Sequence, residues 1–502
     1  MASQELVTAG WVLITLYIIM TLWFVIRGAR KTKSMADYAV GSLAFSPVAV
    51  GLSLAASMTS AATFIINPGF VAYYGISGVI SMAIMLPLGA LISLVIFTKG
   101  FKKVGNAIKA LTMAQWIGAR YNNKSFATFF AFLSLLLITF VVLICVGLTK
   151  VLSGMLNTPE VYTLAAIIVV IFGYMMFGGA NSMVYTNMIQ ATLMIIVAVI
   201  LLTSGLDHFR EGVAGFMAKL DAIDPMLTKP LNEQSPLFRD MFEIVFCQMV
   251  VGIAIVCQPH IITKSLLLKD DKDINTFLTT GIIVEILFFS VVAAGLYARI
   301  AFPDLTLNGE AMGVDGIISA YVVQEFTVAV GLLVIMGLIS AGISTLEGLI
   351  QSLSTTVTSD IIGTYIKNKT YNEVAVNRLV IVGLAIISFF FSYRQLVAPD
   401  LSVGIFAQNG VYAYFSAAFI PVLFGTFTKN VRLAVPVSGA LTAVIVHFAI
   451  YYGRLTPYMS EPVRNPGVAA AIAICASVVV AMGVHMALPA SKVTKQKPTV
   501  SA

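Results

Sequence analysis

The chain has 502 residues, of which 59% are hydrophobic and only 11% are charged, with a mean hydropathy of +0.95 and a net charge of +7. Soluble domains carry about 25% charged residues, so this composition excludes a soluble protein and indicates a polytopic membrane protein. The basic residues are scattered over short loops, which argues against a nucleic acid as partner.

Apolar runs of about 20 residues predict an all-α membrane protein with about 13 transmembrane helices. The predicted spans are 8–27, 46–74, 78–99, 125–155, 161–177, 183–204, 241–262, 274–298, 327–358, 376–393, 403–427, 433–452 and 467–488. The runs at 46–74 and 327–358 are too long for a straight crossing, so we expect them to tilt, break or extend beyond the bilayer.

These spans are predicted to form one transmembrane domain that occupies residues 1–502. Its core is expected at about 46–427, with peripheral helices at 8–27, 433–452 and 467–488. The sequence has no GxxxxGK[ST] loop, so nucleotide hydrolysis is not expected to drive it, and no enzymatic activity is predicted. All four cysteines fall within predicted spans, so no external disulfide framework is expected.

Lys and Arg indicate the orientation of the chain in the membrane. If the N-terminus lies outside, 21 of the 30 basic residues fall in inner loops or in the polar tail after Leu488. Lys264 is counted among these inner-loop residues. Because basic residues concentrate in cytoplasmic loops, the sequence predicts an N-out, C-in topology.

The prolines of two predicted spans indicate an internal repeat. Pro68 lies in the span 46–74, and Pro259 lies at the end of the span 241–262. A proline frees a backbone carbonyl, which a membrane tolerates only where the carbonyl faces protein or a water-filled cavity. Five spans separate the two starts, which predicts an inverted 5+5 repeat whose halves each open with a broken helix.

Two segments at membrane depth, Leu52–Phe64 and Gly337–Thr345, are rich in Ala, Ser and Thr. Ala341, Ser344 and Thr345 are spaced i, i+3, i+4 and therefore share a helix face. Close helix packing explains either segment alone. Together, two segments that supply neutral oxygens are typical of a binding site for a dehydrated alkali cation and favour an ion-coupled transporter.

Several motifs carry a resemblance to a known family over about residues 8–488. They include Ala56-Ser57-Met58-Thr59-Ser60, Gln258-Pro259-His260-Ile261 and Ser344-Thr345-Leu346. With them the chain resembles the sodium:solute symporters, which include bacterial proline, pantothenate and acetate carriers and relatives of the sodium–glucose cotransporters. The resemblance implies Na⁺ as coupling ion, a small-molecule solute, and a multi-pass location in the cell (inner) membrane. No obligate protein partner is evident from the sequence.

The resemblance also implies functional positions. The implied sodium ligands are the backbone oxygens of Ala56, Thr59 and Ala341 and the hydroxyls of Ser344 and Thr345. The implied solute pocket comprises Ser60, Thr63, Phe64, Val251, Ile255, Gln258, Phe406 and Gln408.

One departure from the family concerns charge. Many members hold an Asp where this chain has Asn187, whereas here Glu347 follows the Ser-Thr pair. Our hypothesis is that Glu347, with Asn187, forms a second cation or proton site, because an intramembrane acid is expensive to bury. A structural hydrogen bond is the alternative, and for Glu285 the two roles are equally supported. His260 is interpreted as a helix-end histidine near the cytoplasm rather than as a proton relay.

The sequence therefore predicts a sodium-coupled symporter that imports a small organic solute by alternating access. An apolar pocket with a few hydroxyls favours a carboxylate-like or pantothenate-like solute. Two alternatives remain: a proton-coupled symporter of the same fold, using Glu347 or His260, and a membrane sensor that binds solute without transporting it.

Overall fold

The computed structural model describes residues 3–366, 371–398, 402–460 and 463–488. The predicted polar tail after Leu488 lies outside these residues. Within them, 11 helices are long and apolar enough to cross a membrane, and two bent helix pairs raise the number to 13. The prediction of a mostly helical membrane protein with about 13 spans is confirmed.

We number the spans α1 to α13 in chain order and divide each bent span into two segments, a and b. They are α1 Gln4–Ala29, α2a Pro47–Met58, α2b Ala62–Tyr74, α3 Ile76–Ile108, α4 Lys124–Leu156, α5 Glu160–Gly178, α6 Ala180–Phe209, α7a Phe242–Ile255, α7b Pro259–Leu267, α8 Asp271–Ala301, α9 Val328–Tyr365, α10 Glu373–Val397, α11 Val403–Phe427, α12 Ala434–Gly453 and α13 Pro466–Ala487.

Shorter elements connect the spans. The longer connecting helices are Met35–Val40, Met113–Arg120, Gly212–Ile223 and Ile317–Glu325. An antiparallel hairpin pairs Thr306–Leu307 with Glu310–Ala311 between α8 and α9. All four cysteines are free thiols, in agreement with the sequence interpretation.

The break in α2 begins one residue after α2a ends. Ser46 caps the start of α2a by accepting a hydrogen bond from the Ala49 amide, and Pro47 occupies the first turn, where a missing N–H costs nothing. Thr59 then takes an extended conformation, with φ −94° and ψ 103°. As a result the axes of α2a and α2b are bent by 55° relative to each other.

The break in α7 has the same character. Gln258 is extended, with ψ 138°, and Pro259 is the first residue of α7b. The two segments of α7 meet at 57°. The two interrupted spans predicted from their prolines are therefore both bent, although in α2 the bend precedes Pro68 by several residues.

The broken helices lie among the most buried spans. α2a packs against α6, α8 and α9, while α7a packs against α3. The most apolar windows of α9 and α11 have 72% and 83% of their residues buried, against 22% in α1 and α10. α9 and α11 therefore lie in the interior of the bundle, together with the two broken helices.

α3 and α7a approach each other through glycines. A β-carbon on Gly89 would lie 3.1 Å from the Gly252 Cα, and one on Gly252 would overlap the Leu86 carbonyl oxygen. Small residues allow membrane helices to pack at such short range. This contact fixes the position of α7a, and with it the position of the break at Gln258.

Candidate ion and solute site

The end of α2a supplies carbonyl oxygens that its own helix leaves without donors. The Thr59 amide still bonds the Ala55 carbonyl at 3.0 Å, but the chain then turns away from the helix. The last carbonyls of a helix lack intrahelical donors. The Ala56 and Ser57 carbonyls belong to this last turn, and the extended backbone begins at Thr59.

Hydroxyl groups of α9 meet these carbonyls. Ser344 Oγ donates to the Ala56 carbonyl at 2.7 Å and lies 3.2 Å from the Ala341 carbonyl. Thr345 Oγ1 lies 3.1 Å from the Ser57 carbonyl, 3.4 Å from that of Ala56 and 3.3 Å from that of Ala341. We call these five oxygens, three carbonyls and two hydroxyls, the hydroxyl–carbonyl cluster.

The cluster has the chemistry that a bare monovalent cation requires. Its oxygens are buried and uncharged, and they come from two helices almost 300 residues apart in sequence. In the structure each hydroxyl lies within hydrogen-bond distance of a carbonyl, so both hydroxyls have an acceptor. A bound cation would instead take the hydroxyl lone pairs, because hydroxyl oxygens both donate and accept. Ala56, Ala341, Ser344 and Thr345 therefore lie together as the sequence suggested.

The fifth implied ligand, Thr59, has a different side-chain contact. Its hydroxyl donates to Glu285 Oε2 on α8 at 2.6 Å. Glu285 is fully buried, and no basic partner for it occurs among the described ion pairs. A buried carboxylate without a cation is expensive in a membrane. The geometry thus favours a hydrogen bond that holds the break of α2 against α8.

This assignment predicts different results for two substitutions of Glu285. Glu285→Gln keeps an acceptor for Thr59 and is expected to retain most sodium-dependent uptake. Glu285→Leu removes the acceptor and is expected to reduce uptake at least about tenfold, since an unsatisfied buried hydroxyl costs about 1–3 kcal/mol. Both variants are compared in proteoliposomes at equal protein content. A loss of sodium dependence in Glu285→Gln would show that the charge itself is required.

A second polar group, next to the cluster, surrounds Glu347. Tyr174 donates to Glu347 Oε1 at 2.5 Å and Thr186 donates to Oε2 at 2.9 Å. Asn187 lies within 3.1 Å of Ser53 and 3.0 Å of Ser57, which line the facing side of α2a. The two residues of the predicted second site are therefore neighbours, as the hypothesis requires.

Lys264 is the residue of this group that the sequence interpretation misplaced. It was counted in an inner loop, but its side chain is buried, with 3% of its surface exposed. Its ammonium donates to Ser53 Oγ at 2.8 Å. The signal available in sequence was the apolar character of α7b around it, which makes a solvated lysine unfavourable there.

His260 is the second residue of α7b, in agreement with its interpretation as a helix-end histidine. Its ring is buried and packs edge-on against Phe140 at 6.0 Å. Neither ring nitrogen has a hydrogen-bond partner among the described residues. A proton relay requires such partners, so the described contacts do not supply one.

A cavity lies beside the break of α2, at its junction with α7 and α11. It has a volume of about 90 Å³. Five of the eight predicted solute residues line it: Ser60, Thr63, Ile255, Gln258 and Gln408. Polar lining residues that sequence reasoning had not placed in the pocket are Asn67, Gln248 and Tyr412.

Three predicted pocket residues are not among those that line the cavity. Phe64 packs edge-on against Phe288 at 5.4 Å and supports the wall from behind. Val251 is fully buried in the α3 contact next to Gly252. Phe406 lies outside the lining face of α11, which includes Ala407 and Gln408, because successive helical residues point about 100° apart.

Gln258 has the most informative contact in the cavity. Its Nε2 donates to the Ile255 carbonyl at 3.1 Å, which fixes the orientation of the amide. The buried Oε1 has no hydrogen-bond partner in the described part of the chain. Buried polar atoms are normally paired, so this oxygen is available to accept from a solute.

The chain matches known proteins over most of its length. The sequence pattern of the sodium:solute symporter family matches residues 38–447. The chain is 26% identical over 450 residues to the sodium/pantothenate symporter of Escherichia coli (strain K12), covering 87% of this chain and 88% of that protein. It is 22% identical over 494 residues to a monocarboxylic acid transporter of Corynebacterium glutamicum, covering 90% and 87%.

The fold is also similar to a solved structure. A Na⁺-coupled sialic acid symporter, in a substrate-bound outward-open state, superposes with a TM-score of 0.74 at 18% identity. The match covers 96% of this chain and 99% of that one. At this identity the likeness establishes the fold.

Proposed function

Because the chain belongs to the sodium:solute symporter family, with Na⁺ as coupling ion, we propose that it imports a small organic solute across the bacterial inner membrane by alternating access. The observation that carries this proposal is the convergence of the α2a carbonyls and the α9 hydroxyls in one buried cluster. We propose Ala56, Ala341, Ser344 and Thr345 as sodium ligands, with the Thr59 backbone oxygen as a fifth.

The architecture proposed for this function is the one expected from the sequence. Residues 1–502 form one domain with an inverted 5+5 core, N-out and C-in, and peripheral helices at 8–27, 433–452 and 467–488. The two bends, 55° in α2 and 57° in α7, support paired halves that each begin with a broken helix.

Coupling follows from the position of the cluster between α2a and α9. Sodium bridges the two helices and favours the conformation in which their oxygens converge. Coupling is therefore the difference in sodium affinity between conformations. The membrane potential adds about 2.3 kcal/mol per charge for each 100 mV. Because α2a and α2b also line the cavity, the same conformation shapes the solute pocket.

The solute class follows from the lining of the cavity and from its size. All its polar lining residues are neutral: hydroxyls of Ser60, Thr63 and Tyr412, and amides of Asn67, Gln248, Gln258 and Gln408. The cavity has a volume of about 90 Å³. That volume fits a short carboxylate, whereas a pantothenate-sized solute requires the cavity to widen.

A carboxylate in this cavity would have its charge offset by the sodium ion. The cavity begins at Met58 and Ser60, two to four residues beyond Ala56 of the cluster. Bound Na⁺ would place a positive charge next to the cavity, so the solute needs no arginine. Two relatives are named for these same classes of solute, one for pantothenate and one for monocarboxylic acids.

Uptake in proteoliposomes tests the proposal. We expect labelled lactate or pantothenate to accumulate when Na⁺ is outside, and not when choline replaces Na⁺ at fixed pH. Undiminished uptake in choline would support proton coupling instead. Binding without flux or counterflow would support a solute sensor.

Gln258 provides a prediction for the solute alone. Gln258→Met removes the unpartnered acceptor and is expected to weaken binding of the transported probe about tenfold, as the loss of one hydrogen bond of about 1.4 kcal/mol implies. Stabilisation by Na⁺ without solute should be unchanged. The measurement is thermal unfolding against probe concentration, with the exposed Gln324→Met as matched control. Equal solute affinity in Gln258→Met and wild type would contradict this role.

A further inference from the structure

The interior next to the proposed sodium cluster contains a buried lysine and a buried glutamate. Lys264 and Glu347 are 3% and 1% exposed. Removing either charge from water costs several kcal/mol unless an opposite charge and hydrogen bonds offset it. Lys264 is on α7b and Glu347 on α9, so any pairing between them joins a broken helix to the helix of the cluster.

The amide of Asn187 lies between these two charges. A lysine ammonium can only donate hydrogen bonds, so the amide oxygen is the atom that faces it. In this orientation Asn187 Oδ1 accepts from Lys264 Nζ at 3.2 Å. Asn187 Nδ2 then donates to Glu347 Oε2 and to Gln190 Oε1, each at 2.9 Å. The ammonium and the carboxylate are thereby linked through one polarised amide.

Oxygens of α2a complete the surroundings of the ammonium. Ser53 Oγ accepts from Lys264 Nζ at 2.8 Å, and Ser57 Oγ lies 3.0 Å from the Asn187 amide. Ser57 Oγ is also 3.3 Å from the carbonyl of Ser344, whose hydroxyl belongs to the proposed sodium cluster. The lysine ammonium therefore contacts two neutral oxygens, Ser53 Oγ and Asn187 Oδ1, and lies 3.9 Å from Met183 Sδ. The Glu347 carboxylate lies on the other side of the Asn187 amide, and Ser57 connects this pocket to the cluster.

These ligands are of the kind that a free monovalent cation would use. Two hydroxyls, an amide oxygen and a nearby carboxylate suit a hard cation, and the ammonium already provides the positive charge. The four-carbon stem ties that charge to α7b, so it cannot leave during a transport cycle. Glu347 accepts hydrogen bonds from three side chains, those of Tyr174, Thr186 and Asn187.

We propose that Lys264 is a tethered cation that permanently fills a second cation pocket formed by Ser53, Ser57, Asn187 and Glu347. This inference rests on the proposed sodium-coupled function and deepens it. It gives a stoichiometry of one Na⁺ per chain, bound at the hydroxyl–carbonyl cluster. It also gives Glu347 a fixed partner in place of an exchangeable cation or proton.

Counting bound sodium tests this assignment. Equilibrium binding of ²²Na⁺ to the purified full chain is expected to give one ion in the wild type and two in Lys264→Ala, which vacates the pocket and leaves Glu347 without its cation. Lys264→Ala/Glu347→Gln, which also removes the carboxylate, is expected to return to one. Arg378→Ala, a charge removal at an exposed position of α10, is the matched control and should bind one ion.

The count distinguishes this inference from the proposed function. One ion in both the wild type and folded Lys264→Ala overturns the tethered cation and leaves the sodium cluster intact. Two ions in the wild type overturn it as well. No sodium bound to the wild type overturns the proposed function together with this inference.

A comparison of melting temperatures tests whether Lys264 and Glu347 compensate each other's charge, even if Lys264→Ala does not fold. Lys264→Met and Glu347→Gln each leave one buried charge unmatched, so each is expected to lower the melting temperature. Lys264→Met/Glu347→Gln removes both charges and is expected to melt above either single variant. A double variant that melts below both singles would show that the two charges do not compensate each other.

Discussion

Ser344→Ala and Thr345→Val are each expected to raise the sodium concentration for half-maximal thermal stabilisation at least about tenfold. Each substitution removes one hydroxyl of the hydroxyl–carbonyl cluster and leaves the helix backbone unchanged. A tenfold change in affinity corresponds to about 1.4 kcal/mol, which is modest for the loss of one oxygen ligand. Sodium stabilises only the state that binds it, so the melting temperature reports its affinity without knowledge of the solute.

Thr356→Val is the matched control for this prediction. Thr356 is buried in the same helix, and its hydroxyl donates to the Ser352 carbonyl within its own helix at 2.7 Å. Thr356→Val therefore removes a threonine hydroxyl from the same helix but outside the cluster. The sodium dependence of its melting temperature should equal that of the wild type. Equal sodium dependence in Thr345→Val and Thr356→Val would remove the cluster as the sodium site.

Gly252→Val is expected to prevent recovery of folded protein, or to lower its melting temperature severely. A β-carbon at Gly252 overlaps the Leu86 carbonyl oxygen, so α3 and α7a must move apart. Overpacking of a well-packed interior costs about 1–3 kcal/mol, and here the obstacle is backbone, which cannot rotate away. The displacement would also move the break at Gln258 and thereby distort the cavity.

The readout is the yield of monodisperse protein and its melting temperature in one detergent. Gly383→Val on α10 is the control, because no described atom lies within 4 Å of a β-carbon at Gly383. Gly383→Val should behave like the wild type. If Gly252→Val is as stable as Gly383→Val, the close approach of α3 and α7a is not needed to hold α7a.

Much of the fold follows from the sequence because hydrophobic runs directly report membrane spans. Each predicted span corresponds to a helix or bent helix pair, and Pro259 begins a helical segment as its missing N–H requires. The exact start of the α2 break was not evident. It depends on Thr59 finding an acceptor on α8, a contact between residues 226 positions apart.

The candidate ion site was partly evident because its residues obey a local rule. Ala341, Ser344 and Thr345 share a face by helical spacing alone, and the structure turns that face to α2a. The solute pocket was harder, since its lining depends on the rotation of each helix about its axis. Ala407 lines the cavity, whereas the preceding residue, Phe406, does not.

Lys264 shows most clearly what a sequence does not reveal. A lysine at the end of an apolar run is ordinarily a cytoplasmic residue, and topology rules treat it so. Its burial becomes favourable only because Ser53, Asn187 and Glu347 arrive from three other helices. The apolar residues around Lys264 in the sequence signal its burial, but no local pattern identifies these three partners.

Direct binding of ²²Na⁺ to the purified wild type and to the double variant Ser344→Ala/Thr345→Val tests most directly whether α2a and α9 together hold the coupling ion. We expect saturable binding in the wild type and none at the same concentrations in a double variant that is still folded. Undiminished binding in the folded double variant would contradict the assignment of the sodium site to α2a and α9, because the ion would then be held by other atoms.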